Sequence, residues 1–389
     1  MIKINVYGIR GFPDVQGGVE KHCEELYTRM NPNAVRFKVF RRKPYLNNQD
    51  DDTNNTDKNA DREHKDKKYK NIQFRDTWTI KNKYLETIVH SFLSAFETIR
   101  DRPDVVHIHN MGPAVTLPLI KLFGLKSVVT LHSINYKHSK WNWFSRLMLK
   151  FSEKLVFIFA DKVIFVSDSY MQCSIKNSGL KESKAIKIPN GLTSFNDLTS
   201  SIPISGYGLK SDKYVLYVGR IVPEKRLQDL ILAFSKIETS MKLVIVGSYD
   251  NTAKYFEELY KFKSKLGQRL IFTGFLNSNN IKPLYQNAFC FVLPSESEGM
   301  PIVLLEAMSF GKCPLVSNIA ENLDVTKNHG FSFEVCNVDD LRNKLEYMLN
   351  NKSIVKKKGL ECKRLVKNDY DWNVIAKKTL QVYKDVLHG

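Results

Sequence analysis

The feature that most constrains the fold is the alternation of short β-branched runs with longer amphipathic or polar segments. Apolar runs of this length, each separated by a helical stretch, are typical of a parallel sheet built from βαβ units. The first half of the chain therefore predicts a doubly wound α/β domain. Its candidate strands are Ile2 to Tyr7, Val35 to Phe40, Val105 to His109, Ser127 to Leu131, Val163 to Val166 and Ile186 to Pro189.

The same pattern starts again in the second half. A stretch rich in Ser, Thr and Gly, residues 193–211, follows Asn190-Gly191 and predicts an interdomain linker. A chain of 389 residues also exceeds the size at which one hydrophobic core stops growing. We therefore expect an α/β protein with two Rossmann-like domains, residues 1–200 and 201–370, facing a central cleft, and a C-terminal helix over 371–389. The second set of candidate strands is Tyr214 to Val218, Leu243 to Val246, Leu270 to Thr273, Phe289 to Leu293 and Pro314 to Val316.

Composition limits the possible partners and the location of the protein. The net charge of +18 favours an anionic partner such as a phosphorylated substrate, a membrane surface or nucleic acid. The basic residues form no aromatic-interleaved motif, so we do not expect nucleic acid. The six cysteines have no CxxC pair or nearby His at metal-ligand spacing, and they indicate reduced thiols in the cytoplasm. Neither a signal peptide nor an apolar run of the roughly 20 residues that a spanning helix needs is expected.

Two further segments have alternative interpretations. Residues 47–70 are polar and predict a flexible surface insertion, in which Asp50 to Asp52 form a solvated loop rather than a metal-binding motif. The segment beginning at Trp141 places apolar side chains on one side of a helix and Arg146, Lys150 and Lys154 on others. It predicts either a packed helix with a solvated face or a basic amphipathic helix at an anionic membrane.

Two carboxylates separated by seven residues are the strongest candidate site in the chain. Pro301 is favoured at the first position of a helix, so Glu298 lies in the entry loop and Glu306 lies inside the helix. The amides of the first turn then face the same ligand as Glu298, and a helix N-terminus binds phosphate or sugar oxygens. The spacing predicts a clamp on an elongated polar ligand. The alternative is a pair of ordinary surface glutamates.

Three other loops carry polar or glycine residues at predicted strand ends. Arg220 and Lys225 follow the first strand of the second domain, where a forked guanidinium and an ammonium can hold a diphosphate. Gly17 and Gly18 precede a helix that contains Glu20, and their backbone can approach a ligand without a β-carbon. The alternatives are solvated basic side chains and a plain tight turn.

Histidines mark two neighbouring strands of the first domain. His132 ends its strand and is expected to project into the cleft. His107 and His109 lie on one face of the preceding strand with Asn110, and they are expected to line the same mouth as possible acceptor contacts, together with Glu20. A lone histidine also serves as a structural residue, and that alternative stays open.

These motifs together resemble retaining glycosyltransferases of family 4, which have the GT-B fold, and the Arg-Gly-x-Pro segment near the start resembles their bacterial rhamnosyltransferase-like branch. The resemblance rests on Gly-Gly-x-Glu20, His132, Pro-Asn-Gly191, Gly-Arg-x-x-x-x-Lys225, Glu-x7-Glu306 and Tyr370-Asp-Trp372. It implies catalytic roles for His132, Glu298, Arg220 and Lys225. It implies that the donor is bound by Gly17, Gly18, Arg220, Lys225, Glu298, Gly299, Met300, Pro301, Ile302 and Glu306. The chain departs from the family at Arg226, where members usually have glycine.

The resemblance also implies a reaction. A hexose would move from a nucleotide diphosphate sugar to a glycan or lipid-linked acceptor, with retention and without a metal or other cofactor, in the biosynthesis of a surface polysaccharide. The final helix would cross back to the first domain. Two alternatives remain, a nucleotide-sugar epimerase of the same fold and, in a different class, a basic nucleic-acid-binding protein.

Overall fold

The computed structural model describes residues 1–15, 17–46, 68–80, 82, 85–132, 143–192, 204–249 and 252–388. The insertion predicted over 47–70 lies outside the described residues except for 68–70, as do Trp141 and most of the predicted linker. Residues 204–207 form a short 3₁₀ turn. No helix among these described ranges is both long and apolar enough to cross a membrane.

The chain divides into two compact units. The first contains Met1–Gly191 together with Trp372–Gly389, and the second contains Leu192–Asp371. The division therefore falls at Gly191, before the boundary at residue 200 that the composition predicts. The last helix belongs to the first unit although it follows the second in sequence.

The first unit contains a seven-stranded parallel sheet in the order β3-β2-β1-β4-β5-β6-β7. Its strands are β1 (Ile2–Tyr7), β2 (Val35–Arg42), β3 (Ile72–Thr77), β4 (Val105–His109), β5 (Lys126–Leu131), β6 (Lys162–Phe165) and β7 (Ala185–Lys187). The sequence pattern missed β3 because only Ile72 and Thr77 of its six residues are buried. Its helices are α1 (Gly18–Thr28), α2 (Leu85–Asp101), α3 (Leu117–Leu122), α4 (Trp143–Phe159), α5 (Asp168–Ser178) and, at the far end of the chain, Trp372–His388.

The second unit contains a six-stranded parallel sheet in the order β10-β9-β8-β11-β12-β13. Its strands are β8 (Tyr214–Val218), β9 (Lys242–Val246), β10 (Leu270–Gly274), β11 (Cys290–Leu293), β12 (Cys313–Ser317) and β13 (Phe331–Phe333). Its helices are α6 (Leu227–Ser235), α7 (Ala253–Tyr260), α8 (Lys263–Leu266), α9 (Ser278–Asn287), α10 (Ile302–Ser309), α11 (Ala320–Thr326), α12 (Val338–Asn350) and α13 (Lys352–Asp369). The helix Trp372–His388 is accordingly α14. The short edge strand β13 was not predicted.

Two buried clusters cover the two faces of the first sheet. One includes α1 and the apolar side of α14, and Trp372 and Tyr383 are almost fully enclosed in it. The other is formed by apolar residues of α2, α3, α4 and the sheet, including Ala95, Leu117 and Val156. Helix α14 is therefore an integral part of the first core.

Each sheet has one point where the strand order reverses. At both points a loop that begins with glycine follows the carboxyl end of a strand. In the first sheet the reversal lies between β1 and β4, and in the second between β8 and β11. Open α/β sheets bind ligands in the crevice at such a switch point. Gly8 follows β1 with a φ of 97°, and a β-carbon there would lie 2.2 Å from the carbonyl oxygen of His109. Only glycine fits this crossing.

Candidate functional site

The loop after β8 begins at the switch point of the second sheet. The amide of Gly219 donates to the carbonyl of Val246 at 2.9 Å, and Ile221 donates to Ser248 at 2.8 Å, so the loop continues along the end of β9. Arg220 is exposed, and among the described residues its guanidinium forms no ion pair. Its backbone is held by Tyr217, whose hydroxyl donates to the Arg220 carbonyl at 3.2 Å. The side chain is thus available to an anion at the carboxyl edge.

The loop after β11 contains Glu298 and contacts the loop after β8. The Glu298 side chain is largely buried, and its Oε1 accepts from Lys225 Nζ at 2.5 Å and from Ser295 Oγ at 2.6 Å. The amide of Glu296 also donates to the carbonyl of Glu224 at 3.1 Å. Lys225 and Glu298, which the sequence treats as separate ligand contacts, form an ion pair. This pairing neutralises the buried carboxylate and fixes the ammonium beside it.

Glu306 lies in α10, eight positions after Glu298, and only 5% of its surface is exposed. Its Oε2 accepts a hydrogen bond from the Tyr285 hydroxyl at 3.0 Å. Burial, with the nearby Glu306 carboxylate as a second cause, raises the pKa of Tyr285 well above its usual value, so this phenol remains a donor. Helix α10 begins at Ile302, one residue after the proline that the sequence placed first. Met300 in the entry loop and Ile302 at the start of the helix are buried, and Gly299 is half-buried.

Arg226 occupies the position where the resemblance predicts glycine. Its φ of 52° and ψ of 37° lie in the left-handed region, which glycine adopts without steric cost. The side chain turns back on the helix that follows, and its Nε donates to Asp229 Oδ2 at 2.8 Å while a terminal nitrogen donates to Oδ1 at 3.2 Å. The loop therefore keeps the glycine conformation, and the ion pair with the buried Asp229 offsets the backbone strain.

The glycine loop of the first unit is closed by Glu20. Gly17 precedes α1, and Glu20 in the first turn accepts the Arg10 amide at 3.2 Å through Oε1. The Glu20 side chain is buried, and a β-carbon on Gly17 would lie 1.9 Å from its Oε2. Glu20 thus holds the loop that leads into α1. Its expected role as an acceptor contact stays a prediction beside this internal hydrogen bond.

The expected placement of His107 and His109 in an open mouth is wrong. Both side chains are fully buried, because their strand lies inside the sheet and α1 and α14 cover this face. His107 Nε2 lies 2.8 Å from Thr130 Oγ1, and its Nδ1 lies 2.7 Å from the Tyr383 hydroxyl. Asn110, half-buried and left-handed with a φ of 70°, donates from its side chain to the Gly8 carbonyl at 3.4 Å.

His132 lies just after β5 with 7% of its surface exposed, and its Nε2 lies 3.0 Å from His109 Nδ1. A third histidine, His22 of α1, packs edge-on against the His132 ring at 4.8 Å between centroids. Its Nδ1 donates to Asn190 Oδ1 at 2.7 Å, which gives the Asn190-Gly191 motif a structural role. Burial lowers the pKa of His22 to about 4 and that of His132 well below its usual value, so both rings are neutral at pH 7.

No sequence motif singles out His22. It lies inside an ordinary amphipathic helix, and its neighbours in space, His109 and His132, are far away in the chain. One nitrogen from each of the three rings lies within 4.8 Å of the others. This spacing would admit a metal ion, and no short sequence motif marks the cluster because the fold brings its three histidines together.

Comparison with known proteins identifies the class to which these two sheets and loops belong. The model described as "Glycosyltransferase Family 4" matches residues 16–193, and the model described as "Glycosyl transferases group 1" matches residues 206–372. The chain is therefore a glycosyltransferase with the GT-B fold. It belongs to family 4, with one matching domain in each unit.

Relatives and solved structures agree with this assignment. An uncharacterised glycosyltransferase of Methanocaldococcus jannaschii is 32% identical over 236 residues, a match that spans 57% of this chain and 60% of that protein. The UDP-Gal:alpha-D-GlcNAc-diphosphoundecaprenol alpha-1,3-galactosyltransferase of Escherichia coli is 28% identical over 76% of this chain and 79% of its own length. The sucrose-phosphate synthase of Thermosynechococcus elongatus superposes over 100% of both chains with a TM-score of 0.82 at 21% identity, which supports the fold.

Proposed function

We propose that the protein transfers a hexose from a nucleotide diphosphate sugar to a lipid-linked or glycan acceptor, with retention of the anomeric configuration. The observation that carries this proposal is the set of side chains at the switch point of the second sheet. Exposed Arg220, the Lys225–Glu298 pair and buried Glu306 lie on two loops and one helix that meet at the carboxyl ends of β8 and β11. Such an edge binds nucleotides in doubly wound sheets.

Each group of this edge suits one part of the donor. Arg220 can form a fork of hydrogen bonds with a diphosphate, and the start of α10 presents backbone amides to the same anion. The Glu306 carboxylate suits the two hydroxyls of a ribose, and Glu298 suits the hydroxyls of the sugar. A solved structure that superposes with a TM-score of 0.76, from Anabaena, is described as a complex with UDP-glucose.

The reaction follows from the charge that develops on the donor. As the bond between the anomeric carbon and the diphosphate breaks, negative charge grows on the leaving oxygen, and Arg220 with Lys225 stabilises it. In front-face transfer the leaving diphosphate accepts the proton of the incoming acceptor hydroxyl, so no separate carboxylate base and no metal are needed. We also assign to His132 the contact with the transferred sugar that the family resemblance implies for a histidine after this strand.

The proposal is tested with a panel of nucleotide sugars. Donor hydrolysis and transfer to a lipid-linked acceptor are measured for the wild type, Arg220→Ala and Lys225→Ala, each at saturating donor. Loss of one charged donor to the leaving group is expected to lower turnover about 100-fold or more. Wild-type turnover in both variants would remove them from the reaction. NMR of the new glycosidic bond determines whether the configuration is retained, and isomerised donor without transfer would favour an epimerase.

The acceptor class is supported by the outer face of α4. Its buried residues include Ser152, Glu153 and Val156, while four large apolar side chains point outward. The helix therefore packs on the core through residues such as Val156 and Phe157, and it also carries a second, exposed apolar face. The exposed apolar side chains and their exposed fractions are Trp143 75%, Leu147 57%, Phe151 53% and Ile158 63%.

We propose that this face lies on an anionic bilayer, where a lipid-linked acceptor resides. Arg146, Lys150 and Lys154 are exposed on the same helix, and Leu122 of the neighbouring α3 is 79% exposed. An apolar surface bordered by cations fits lipid tails and anionic headgroups together, and each cation near the surface contributes about 1 kcal/mol.

Flotation with vesicles of neutral lipid, or of neutral lipid with one third anionic lipid, tests this docking. Recovery with anionic vesicles is expected to fall when Arg146, Lys150 and Lys154 are changed to Gln. Three lysines on α13, Lys356, Lys357 and Lys363, provide a control of equal charge on the second unit. Equal recovery on both vesicle types, or equal loss in the control, would contradict the proposal.

A further inference from the structure

A continuous chain of hydrogen-bonding groups connects α14 to His132 through the interior of the first unit. The Tyr383 hydroxyl lies 2.7 Å from His107 Nδ1, and the Tyr27 hydroxyl lies 2.9 Å from the same nitrogen. Tyr27 also lies 2.6 Å from His109 Nε2, and His109 Nδ1 lies 3.0 Å from His132 Nε2. All five side chains are buried, so solvent does not compete for these bonds.

The number of protons restricts how this chain is arranged. A neutral imidazole has one N–H and one bare nitrogen. Burial lowers the pKa of His107 to about 3 and that of His109 well below its usual range, so both are neutral at pH 7. Tyr383 is the nearer partner of His107 Nδ1, and the shorter histidine contact of Tyr27 is His109 Nε2, which Cys23 Sγ approaches only to 3.5 Å. This geometry favours donation from Tyr383 to His107 and from Tyr27 to His109.

From this arrangement we infer that Tyr27 is a positioning residue that fixes which nitrogen of His132 carries the proton. When Tyr27 donates a hydrogen bond to His109 Nε2, that nitrogen is the acceptor and has no hydrogen of its own. His109 then carries its hydrogen on Nδ1 and donates to His132 Nε2. His132 must then carry its own hydrogen on Nδ1. Free histidine favours the opposite tautomer, with the hydrogen on Nε2, so the protein selects the less common form.

The consequence for catalysis rests on the proposed function. In the inferred tautomer His132 Nδ1 is a hydrogen-bond donor, whereas in the other tautomer it is a bare nitrogen. A sugar oxygen bound by this ring would lose its hydrogen bond when the tautomer is exchanged. The loss of an oriented donor in this position is expected to lower kcat about tenfold and to leave the donor KM unchanged.

A metal ion held by His22, His109 and His132 is the competing explanation for this cluster. The three ring nitrogens are close enough together, but His109 Nδ1 and His132 Nε2 already bond to each other. The direct bond favours the proton chain. Zinc is therefore included in the experiment as a separate sample.

The test is two-bond proton–nitrogen NMR of full-length protein labelled with ¹⁵N histidine, which distinguishes protonated from bare ring nitrogens. The wild type is expected to show His132 protonated on Nδ1, with its signals assigned by loss in His132→Gln. In Tyr27→Phe the His132 signals are expected to shift to the Nε2–H form. Tyr7→Phe is the matched control, because Tyr7 is equally buried and bonds to Thr116 at 2.7 Å, away from the histidines.

Three results would overturn the inference. These are Nε2–H His132 in the wild type, an unchanged His132 tautomer in folded Tyr27→Phe, and an equal shift in Tyr7→Phe. Stoichiometric zinc in the purified protein, with the ¹⁵N shifts of ring nitrogens of His22, His109 and His132 changing when the zinc is removed, would assign the cluster to a metal instead. The NMR spectra report the His132 tautomer without any substrate. An inactive wild type would therefore contradict the proposed function, whereas only the spectra test this inference.

Discussion

The Glu306 carboxylate has two expected roles, a contact with the nucleotide and acceptance of the Tyr285 hydrogen bond. Replacement of Glu306 is expected to affect nucleotide affinity through the first and stability through the second. A charge-assisted hydrogen bond contributes about 1.5–3 kcal/mol, and every 1.4 kcal/mol is a factor of about ten in affinity. Glu306→Ala is therefore expected to weaken nucleotide binding about 10- to 150-fold. The same change leaves the buried Tyr285 hydroxyl without the acceptor at 3.0 Å, which costs about 1–3 kcal/mol of stability.

Two further variants distinguish these effects. Glu306→Gln keeps an oxygen for Tyr285 and removes the charge, so it is expected to retain most of the stability and to bind about five- to tenfold more weakly than wild type. Tyr285→Phe removes the hydroxyl that bonds to Glu306 and, more weakly, to the Val303 carbonyl at 3.4 Å, and it keeps the carboxylate. It is expected to lower stability by about 1 kcal/mol with nucleotide affinity within twofold of wild type.

The assay is calorimetric titration with UDP, the ligand of a solved structure with a TM-score of 0.74 to this chain. Circular dichroism confirms that each variant is folded at the titration temperature. A folded Glu306→Ala protein that binds UDP within twofold of wild type would refute the ribose assignment. Equal losses in Tyr285→Phe and Glu306→Ala would show that the carboxylate acts through the helix and not on the ligand.

Three other variants or conditions test the described geometry. Gly247→Ala should lower the thermal midpoint, by the equivalent of about 1–3 kcal/mol, because its β-carbon would lie 1.8 Å from the Gly219 carbonyl oxygen; an unchanged midpoint would contradict this crossing. Arg226→Gly should leave the free energy of unfolding in urea nearly unchanged, since the backbone strain and the Asp229 ion pair are lost together. Arg226→Ala should be less stable than both the wild type and Arg226→Gly. An Arg226→Ala protein at least as stable as the wild type would refute this account. Burial lowers the pKa of His22 from 6.5 to about 4, so His22 of the unfolded chain binds a proton at a higher pH than His22 of the folded protein. Stability should therefore fall as the pH decreases from 6.5 toward 4. A urea midpoint as high at pH 5 as at pH 7 would be inconsistent with a buried neutral ring.

The sequence predicted the parts of the fold that repeat a simple physical pattern. Strands such as Ile2–Tyr7 and Val105–His109 are short apolar runs buried on both faces, and their limits were predicted to the residue. Strand β3 was missed because it lies at the sheet edge and alternates with polar residues such as Gln73 and Arg75. Edge strands lack the continuous apolar signal of the central strands.

The element that carries a candidate residue could be predicted where the motif is local in sequence, and the exposure of a side chain could not be predicted where distant residues cover it. Arg220 and Glu306 lie on elements that the motif itself defines. The interior position of His107 depends on Tyr383, which is 276 residues away and arrives through the last helix. No local pattern shows that a strand histidine is covered by the end of the chain. For the same reason periodicity alone could not show which apolar residues of α4 are covered, because the helix has apolar side chains such as Val156 on its buried side and Phe151 on its exposed side.

The return of α14 to the first unit has a consequence for the order in which the protein is made. The ribosome releases Met1 to Gly191 long before Trp372 and Tyr383, yet both of these side chains complete the same core. Residues 192–371 are continuous and can collect all their own contacts as they emerge, because domains generally fold as units from the N-terminus. The unit that starts first therefore finishes last, and until then the apolar surface that α14 covers stays exposed to solvent.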